Sequence, residues 1–157
     1  MQVPVIGEHA MNAWRLLLET HHRLTGEMDR ELREVHGLRL DWYDVLVQLN
    51  AAGGRMRMHE LAEATLFSRT DCTRIVDRMQ RAGLVARERA SEDGRGVYAT
   101  LAHAGKQKLR EAAVTHVHSI ERRFTDCLTE EEAATMATAL RRVVHAATQE
   151  RSPSPES

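Results

Sequence analysis

A single arginine stands between two glycines in the stretch SEDGRGVYATL, which runs from Ser91 to Leu101. Asp93 lies two residues before Arg95, so its carboxylate can pair with the guanidinium and restrain its orientation. Glycines on either side let such a loop adopt backbone conformations that a bulkier residue would block. The stretch predicts a flexible loop that holds one cation, Arg95, away from the protein surface, with a disordered polar loop as the alternative.

A second set of polar side chains recurs at helical spacing in LFSRTDCTRIVDRMQRAGLV. Ser68 followed by Asp71 fits a capping box that begins a helix, and Gly83 ends it. Short hydroxyls and a long cation near a helix N-terminus suit close approach to the major groove of DNA, while an ordinary solvated helix face is the alternative. The stripe, at i, i+3, i+4 and i+7 with Arg69 beside it, consists of Thr70, Thr73, Arg74 and Asp77.

These residues give seven candidate DNA contacts, five from the helix and two from the loop: Ser68, Arg69, Thr70, Thr73, Arg74, Asp93 and Arg95. Asp77 and Arg78 are expected instead to brace the neighbouring structure through ion pairs. The opposite face of the helix carries Cys72, Ile75, Val76 and Met79. Because it lies on this apolar face, Cys72 is expected to be a buried small hydrophobic residue without redox function.

Composition limits the classes of protein that this chain can be. Its 157 residues are 42% hydrophobic and 4% aromatic, with a formal net charge of −1, which favours one helix-rich domain. Between Arg55 and Arg95, nine arginines stand against seven acids, an excess too small to identify a nucleic-acid surface alone. The chain shows no export signal and no run of 18 apolar residues, so we expect a cytoplasmic protein that makes no membrane contact.

The elements that must position the candidate residues are mainly helices. Apolar residues at alternating steps of three and four predict a long helix over residues 8–36, ended by Gly37. Leu84-Val85 and Val97 to Leu101 predict two short strands around a tip at Ala90 to Gly96. Two more helices are expected before the capped one, from near Asp41 to Gly53-Gly54 and from Met58 to about Ala64. The order of helix, turn, capped helix and hairpin predicts a winged helix-turn-helix lobe with a two-stranded wing over residues 38–101.

Helices are also predicted after the hairpin. One is expected from Ala104 to Leu128, and the capping box of Thr129 and Glu132 opens another. The apolar seams of residues 8–36 and 104–147 are too long for a lobe of about sixty residues to cover, so they predict a helical dimerisation lobe and a homodimer. The fold class is therefore mainly α, with a single domain over residues 1–149 and a disordered polar tail over 150–157.

Three stretches in this order resemble the MarR (multiple antibiotic resistance regulator) family of bacterial transcription factors: DWYDVLVQL, MHELAEATLFSRTDCTRIVDRMQRAGLVARE and EDGRGVYATLAHAGKQKL. The resemblance implies a homodimeric repressor that binds a pseudo-palindromic double-stranded DNA operator. Its capped helix would enter the major groove and its wing the minor groove, and a small ligand would release it. One departure is that Ala102 stands where the family usually has a helix-capping threonine, so Thr100 or His103 would have to cap the next helix, or its start would fray.

The effector pocket of this family lies where the dimerisation lobe meets the DNA-binding lobe. Trp14, His21, Trp42 and Tyr43 are the candidate lining residues, and they suit a small aromatic or phenolic effector. Packing at a helix junction is the alternative for each of them.

Other classes of function have weaker support in the sequence. No two of the nine histidines have the i, i+4 spacing of a helical metal site, so we expect no metal site and no required cofactor. No hydrolase triad, nucleotide loop or catalytic carboxylate pair is recognisable, and an enzyme is not expected. The alternative function is a winged-helix module that works through protein partners, or an architectural DNA binder without sequence preference.

Overall fold

The computed structural model describes residues 6–89 and 96–149. They divide into two compact units, one ending at Val117 and the other starting at His118. In chain order the elements are α1 (Glu8–His36), α2 (Leu40–Ala51), β1 (Arg55–Arg57), α3 (Met58–Thr65), α4 (Arg69–Arg81), β2 (Val85–Arg89), β3 (Val97–Leu101), α5 (His103–Arg123), a short 3-10 helix (Thr125–Cys127) and α6 (Glu130–Gln149). The fold class is confirmed: helices dominate, and a small antiparallel sheet forms the wing.

Helix α1 runs over the residues that its apolar spacing predicts and ends where Gly37 adopts a left-handed φ of 61°. Its two halves differ in burial. Met28 and Leu32 are buried, whereas the side chains before Leu24 are all exposed, Trp14 by 54%. The C-terminal half therefore belongs to the core of the first unit, and the N-terminal half leaves its apolar side chains uncovered.

The core of the first unit is built around α2. Val45, Leu46 and Leu49 are fully buried, together with Leu61 of α3 and the apolar face of α4. The four α4 residues on that face are all buried, as their spacing predicts: Cys72, Ile75, Val76 and Met79. This packing fixes which face of α4 points outward.

The sheet has three strands in the order β1-β3-β2, all antiparallel. The sequence predicts only the two strands of the wing, so β1 is a correction. β1 has just three residues, and it pairs with β3 through Met56 opposite Ala99, 43 positions later. A strand this short has no recognisable alternation of its own, because its pairing depends on a distant partner.

The start of α5 packs tightly against the end of the segment before β2. A Cβ atom at Gly105 would lie 2.1 Å from the carbonyl oxygen of Leu84, so only glycine fits there. The backbone N–H of Ala102 donates to the same carbonyl at 3.1 Å, and Lys106 N–H donates to the Ala102 carbonyl at 3.0 Å. Ala102 thus precedes the helix without a capping side chain. The hydroxyl of Thr100 is buried and has no hydrogen-bond partner in the part of the chain that the structure describes, so Thr100 is not the substitute cap.

The second unit holds the end of α5, the 3-10 helix and α6. The prediction that α5 continues to Leu128 is wrong, because the helix ends at Arg123 and a 3-10 turn follows. The capping box at the next helix is confirmed. The Glu132 carboxylate accepts the Thr129 N–H at 2.8 Å, and the Thr129 hydroxyl accepts the Glu132 N–H at 3.3 Å. None of the helices in the described residues is long and apolar enough to cross a membrane.

Candidate nucleic-acid interface

The N-terminus of α4 is held by Ser68, as the sequence predicts. Its hydroxyl accepts the backbone N–H of Asp71 at 3.0 Å and donates to the Asp71 carboxylate at 2.6 Å. The first turn of the helix therefore has a satisfied and rigid end. A negatively charged side chain in this turn also complements the helix dipole.

The polar stripe of α4 lies on the outward face, opposite the buried residues. Arg69, Thr70 and Arg74 are exposed, as is Ser68 at the cap, whereas Thr73 is half-buried. The Thr73 hydroxyl donates to the Arg69 carbonyl at 2.9 Å, so its proton is already used within the helix. The structure thus brings five of the seven candidate DNA contacts together on one surface, and their role as contacts stays a prediction.

Helix α4 is joined to the wing by an ion pair between Asp77 and Arg87 of β2. This confirms the structural role expected of Asp77, which ties the outward stripe to the strand that leads into the wing. Arg78 differs, since its Nε atom donates to the Arg74 carbonyl at 3.3 Å and it has no acidic partner among the described residues.

Strand β1 carries two arginines that form a cluster with residues of β2 and β3, which their spacing in the sequence does not reveal. The guanidinium carbon of Arg55 lies 3.8 Å from the ring centroid of Tyr98, and the Nε atom of Arg57 donates to the Tyr98 hydroxyl at 3.1 Å. Arg55 also pairs with Glu88 of β2 at 3.6 Å. These contacts link all three strands at the root of the wing. Asp93 and Arg95, the two candidates at its tip, lie outside the described residues.

The cysteine beneath the stripe is protected. Cys72 is buried, and burial raises the pKa of its thiol despite the opposing effect of the Arg87 charge. Because the thiolate is the reactive form, this environment makes Cys72 a poor redox sensor. Cys127 is exposed in the 3-10 helix of the second unit.

The four candidate effector-binding residues do not line one pocket. Trp14 is exposed on α1, two turns before His21, which lines a groove. Tyr43 is buried, with its ring centroid 4.5 Å from that of His116. Trp42 packs against the core, and its indole nitrogen is buried with no acceptor among the described residues. Packing is thus the role that the structure gives Tyr43 and Trp42.

The groove beside His21 has a volume of about 630 Å³ and lies entirely within the first unit. We call it the α1–α2 groove; its walls come from α1, the start of α2 and the turn between α3 and α4. Three carboxylates and two guanidiniums face it: Asp29, Asp41, Asp44, Arg33 and Arg39. None of the five is recognisable as a site residue from the sequence, because each has the pattern of an ordinary surface charge. Their grouping depends on the crossing of α1 and α2.

Two of the three carboxylates are fully paired. Arg33 donates to Asp29 at 2.6 Å, and Arg39 donates to both oxygens of Asp41 at 2.8 Å. The Leu40 N–H donates to Asp29 at 2.9 Å. Burial alone would raise the pKa of Asp29, but the bonds from Leu40 and Arg33 outweigh it and lower that pKa.

Asp44 is the exception among these carboxylates. No donor in the described part of the chain bonds or pairs with it, and burial, with a smaller contribution from the Asp41 charge, raises its pKa to about 6. Among the described residues, no three His, Cys, Asp or Glu side chains are placed to share a metal ion. The groove therefore carries one uncompensated carboxylate and no metal-ligand group.

Comparison with known proteins places the chain in a family. A model of the MarR family matches residues 36–96. AbsC, a MarR family transcriptional regulator from Streptomyces coelicolor, is 33% identical, with a TM-score of 0.86 over 94% of this chain and 99% of that one. Sco3205 from the same organism, solved in complex with DNA, is 29% identical with a TM-score of 0.86, over 92% of this chain and 91% of that one.

A curated relative agrees with these structures. The HTH-type transcriptional regulator YkoM of Bacillus subtilis is 26% identical over 125 residues, which are 80% of each chain. The matches extend beyond residues 36–96 to nearly the whole chain, so they include the helices on both sides of the winged lobe. The chain belongs to the MarR family of transcriptional regulators.

Proposed function

We propose that this protein is a DNA-binding repressor that acts as a homodimer on a pseudo-palindromic operator, with α4 in the major groove and the wing in the minor groove. The outward stripe of α4 carries the proposal. It presents Arg69, Thr70 and Arg74 to solvent beside a satisfied N-cap, on a helix whose other face is locked into the core. The relative Sco3205 was solved in complex with DNA, which supports the same use of this fold here.

The homodimer is supported by apolar side chains that each unit leaves uncovered. On α1, Met11, Trp14 and Leu18 are 39%, 54% and 50% exposed. On α6, Val143 and Val144 are 58% and 65% exposed. A soluble chain gains from covering such stripes with a second copy. Two-fold symmetry then requires operator half-sites about one helical turn apart.

Binding to a labelled duplex from the region upstream of the gene, in excess nonspecific competitor, tests the proposal. We expect a retained complex whose stoichiometry is two chains per duplex. Equal binding to unrelated duplexes would indicate an architectural DNA binder, and no binding to any duplex would indicate a module that works through protein partners. Sedimentation at micromolar concentration that shows a stable 17.8 kDa monomer would contradict the dimer.

A small aromatic or phenolic effector completes the proposal. The effector would stabilise a dimer in which the two copies of α4 are wrongly spaced for the operator, and operator binding would weaken. It can do so only by binding this state more tightly than the state that fits the operator. The α1–α2 groove supports this part, since it lies between the helix that carries the exposed apolar stripe and the turn that leads into α4.

A further inference from the structure

Three locally unfavourable features meet at the α1–α2 groove. They are the unpaired carboxylate of Asp44, the left-handed backbone of Leu66 and a glycine, Gly26, in the middle of α1. Proteins retain features of this kind where the surrounding structure or a bound molecule compensates them. Each one bears on a different property of a molecule that could bind there: its charge, its shape and how closely it could approach.

The charge of the occupant follows from the pairing within the groove. Asp29 and Asp41 are matched by Arg33 and Arg39, so the third carboxylate, Asp44, leaves the five fixed charges at −1. A half-buried carboxylate without a donor is destabilised, and a cation or a hydrogen-bond donor would compensate it. An anion would add to the repulsion, because both guanidiniums already hold carboxylates.

The shape of the occupant follows from the rim of the groove. Leu66 is 92% exposed and has a φ of 60°, the one positive φ of a residue other than glycine in the described chain. This backbone is the left-handed C-cap that ends α3, a position where glycine is more usual, and the Phe67 N–H closes the turn by donating to the Ala62 carbonyl at 3.0 Å. The cap accounts for the φ angle, but it does not bury the leucine side chain. Phe67 lies next to it on the same wall. Together they offer an apolar surface on which a ring or short chain could lie.

Gly26 indicates close approach from the side of α1. Glycine is among the least favourable residues inside a helix, yet a Cβ atom at this position would meet no atom of the described chain within 4 Å. Internal packing therefore does not require glycine there. The open surface of Gly26 adds width to the groove, and a larger side chain would occupy part of it.

We propose that the α1–α2 groove binds a small organic cation, with its charged nitrogen at Asp44 and its apolar body against Leu66 and Phe67. This names the chemistry of the effector and so rests in part on the proposed function. It also specifies that the aromatic effector is positively charged. The four candidates from the sequence, Trp14, His21, Trp42 and Tyr43, do not determine that charge.

A matched set of ligands tests the charge preference. The dimer is titrated by calorimetry, without DNA, with 2-phenylethylammonium, 2-phenylethanol and 3-phenylpropanoate at up to millimolar concentration. We expect the ammonium to bind about tenfold more tightly than the alcohol and the carboxylate to bind most weakly. In Asp44→Asn, the ammonium and the alcohol should differ by less than about twofold. Glu63→Gln, which removes an exposed carboxylate of α3 outside the groove, should keep the wild-type ranking.

The apolar wall is tested by Leu66→Gly, because glycine adopts the same φ without strain. Affinity for 2-phenylethylammonium should fall about fivefold while the melting temperature is unchanged or higher. Tightest binding by the carboxylate, equal binding of the ammonium and the alcohol, or an unchanged ranking in Asp44→Asn would overturn the proposal. Failure of all three ligands to bind would also overturn it, and would indicate that a second copy of the chain fills the groove.

The closing measurement separates this site from the proposed function. Operator affinity is measured with and without saturating 2-phenylethylammonium in the wild type and in Asp44→Asn. A ligand-dependent loss of at least about fivefold in the wild type alone supports both proposals. If calorimetry shows that 2-phenylethylammonium binds but no operator binding is detected, the proposed ligand site stands and the proposed repressor function is wrong.

Discussion

The outward stripe of α4 and the α1–α2 groove are neighbours along the chain, but they differ in how well their polar groups are paired. On α4, the cap is bonded, the Thr73 hydroxyl has an acceptor and Asp77 has an arginine partner. In the groove, no donor among the described residues bonds Asp44, and Leu66 ends α3 in the left-handed region that favours glycine. On the stripe of α4, these polar groups have their partners before any other molecule binds. Such a preformed surface suits docking onto a regular polymer. The second surface leaves the charge of Asp44 uncompensated by the described residues, which suits binding of a positively charged or hydrogen-bond-donating group.

The largest expected effect is on the packing of the start of α5 against Leu84, within the unit that also holds α4. Gly105→Ala places a methyl group 2.1 Å from the Leu84 carbonyl, a backbone atom that cannot move aside cheaply. We expect the free energy of unfolding to fall by about 3 kcal/mol or more, because overpacking forces the backbone to shift. Chemical denaturation measures it, with Gly26→Ala as the matched control, which should be neutral or stabilising. Equal stability of the two variants would contradict the packing argument.

The next effect tests α4 as a DNA surface. Arg74 is exposed on the outward stripe of α4, so with α4 in the major groove as proposed, Arg74→Ala should cost about 1–3 kcal/mol of operator binding and relax preference at one base pair in each half-site. Fluorescence anisotropy on operators with single base changes measures both losses. The melting temperature should not change, since the side chain makes no buried contact. An unchanged affinity would remove Arg74 from the interface.

The groove predicts a change of the opposite sign. Asp44→Asn should raise the free energy of unfolding at pH 7 by about 1–2 kcal/mol, less than a full two-unit shift implies because the carboxylate is partly solvated. The folded chain holds the proton up to about pH 6, whereas the unfolded chain releases it near 3.8. The cost of the charge is therefore present above pH 6 and disappears as the pH falls from 6 toward 4.

Urea denaturation of the wild type and Asp44→Asn across pH 4 to 8 checks this prediction. The difference between them should shrink with falling pH and vanish near pH 4. The other charged and titratable groups of the groove, His21, His22, Asp29, Arg33, Arg39 and Asp41, are the same in both proteins, so their titration contributes equally. A constant difference across this range would show that Asp44 is not the group responsible.

A smaller effect concerns the wing. Arg95→Ala should weaken binding to operators with A·T-rich flanks, flatten the preference for A·T over G·C there, and reduce the salt slope by about one unit per wing. Affinity measured against salt concentration, with both kinds of flank, tests this. If the variant binds both kinds as tightly as the wild type, the wing tip is not a DNA contact.

The smallest effect contrasts two positions of the same turn. Ser68→Ala removes the bond to the Asp71 N–H and should cost about 1 kcal/mol of stability. Leu66→Gly relieves a left-handed leucine but also frees the unfolded chain, so the net gain should be about 0.5 kcal/mol or less. Thermal unfolding measures both. A loss in Leu66→Gly as large as that in Ser68→Ala would remove the contrast between the two surfaces.

The sequence predicts most helix boundaries because they depend on local chemistry. Gly37 ends α1 in the left-handed region, Ser68 caps α4, and Thr129 with Glu132 opens α6, each within a few residues of chain. The end of α5 was misplaced for the same reason. Phe124 and Leu128 continue the apolar spacing, and no glycine or proline marks the stop at Arg123.

Features that depend on distant residues were not predictable in this way. β1 exists because Arg55–Arg57 meets β3 across 41 or more positions, and its three residues have no pattern of their own. Asp44 reads as one more acid on an amphipathic helix, because its lack of a partner becomes visible only when Arg33 and Arg39 are seen to hold other carboxylates. The aromatic residues drew attention by type, although Tyr43 serves the core.

The ion pair between Asp77 and Arg87 has a consequence for how the protein leaves DNA. It joins α4 to the strand that enters the wing, so tilting one of them without the other would break this pair. If the protein binds DNA as proposed, a change that withdraws α4 from one groove would also pull the wing from the next. Release from each half-site should thus be a single kinetic step, without a long-lived complex that holds the operator by its wings alone.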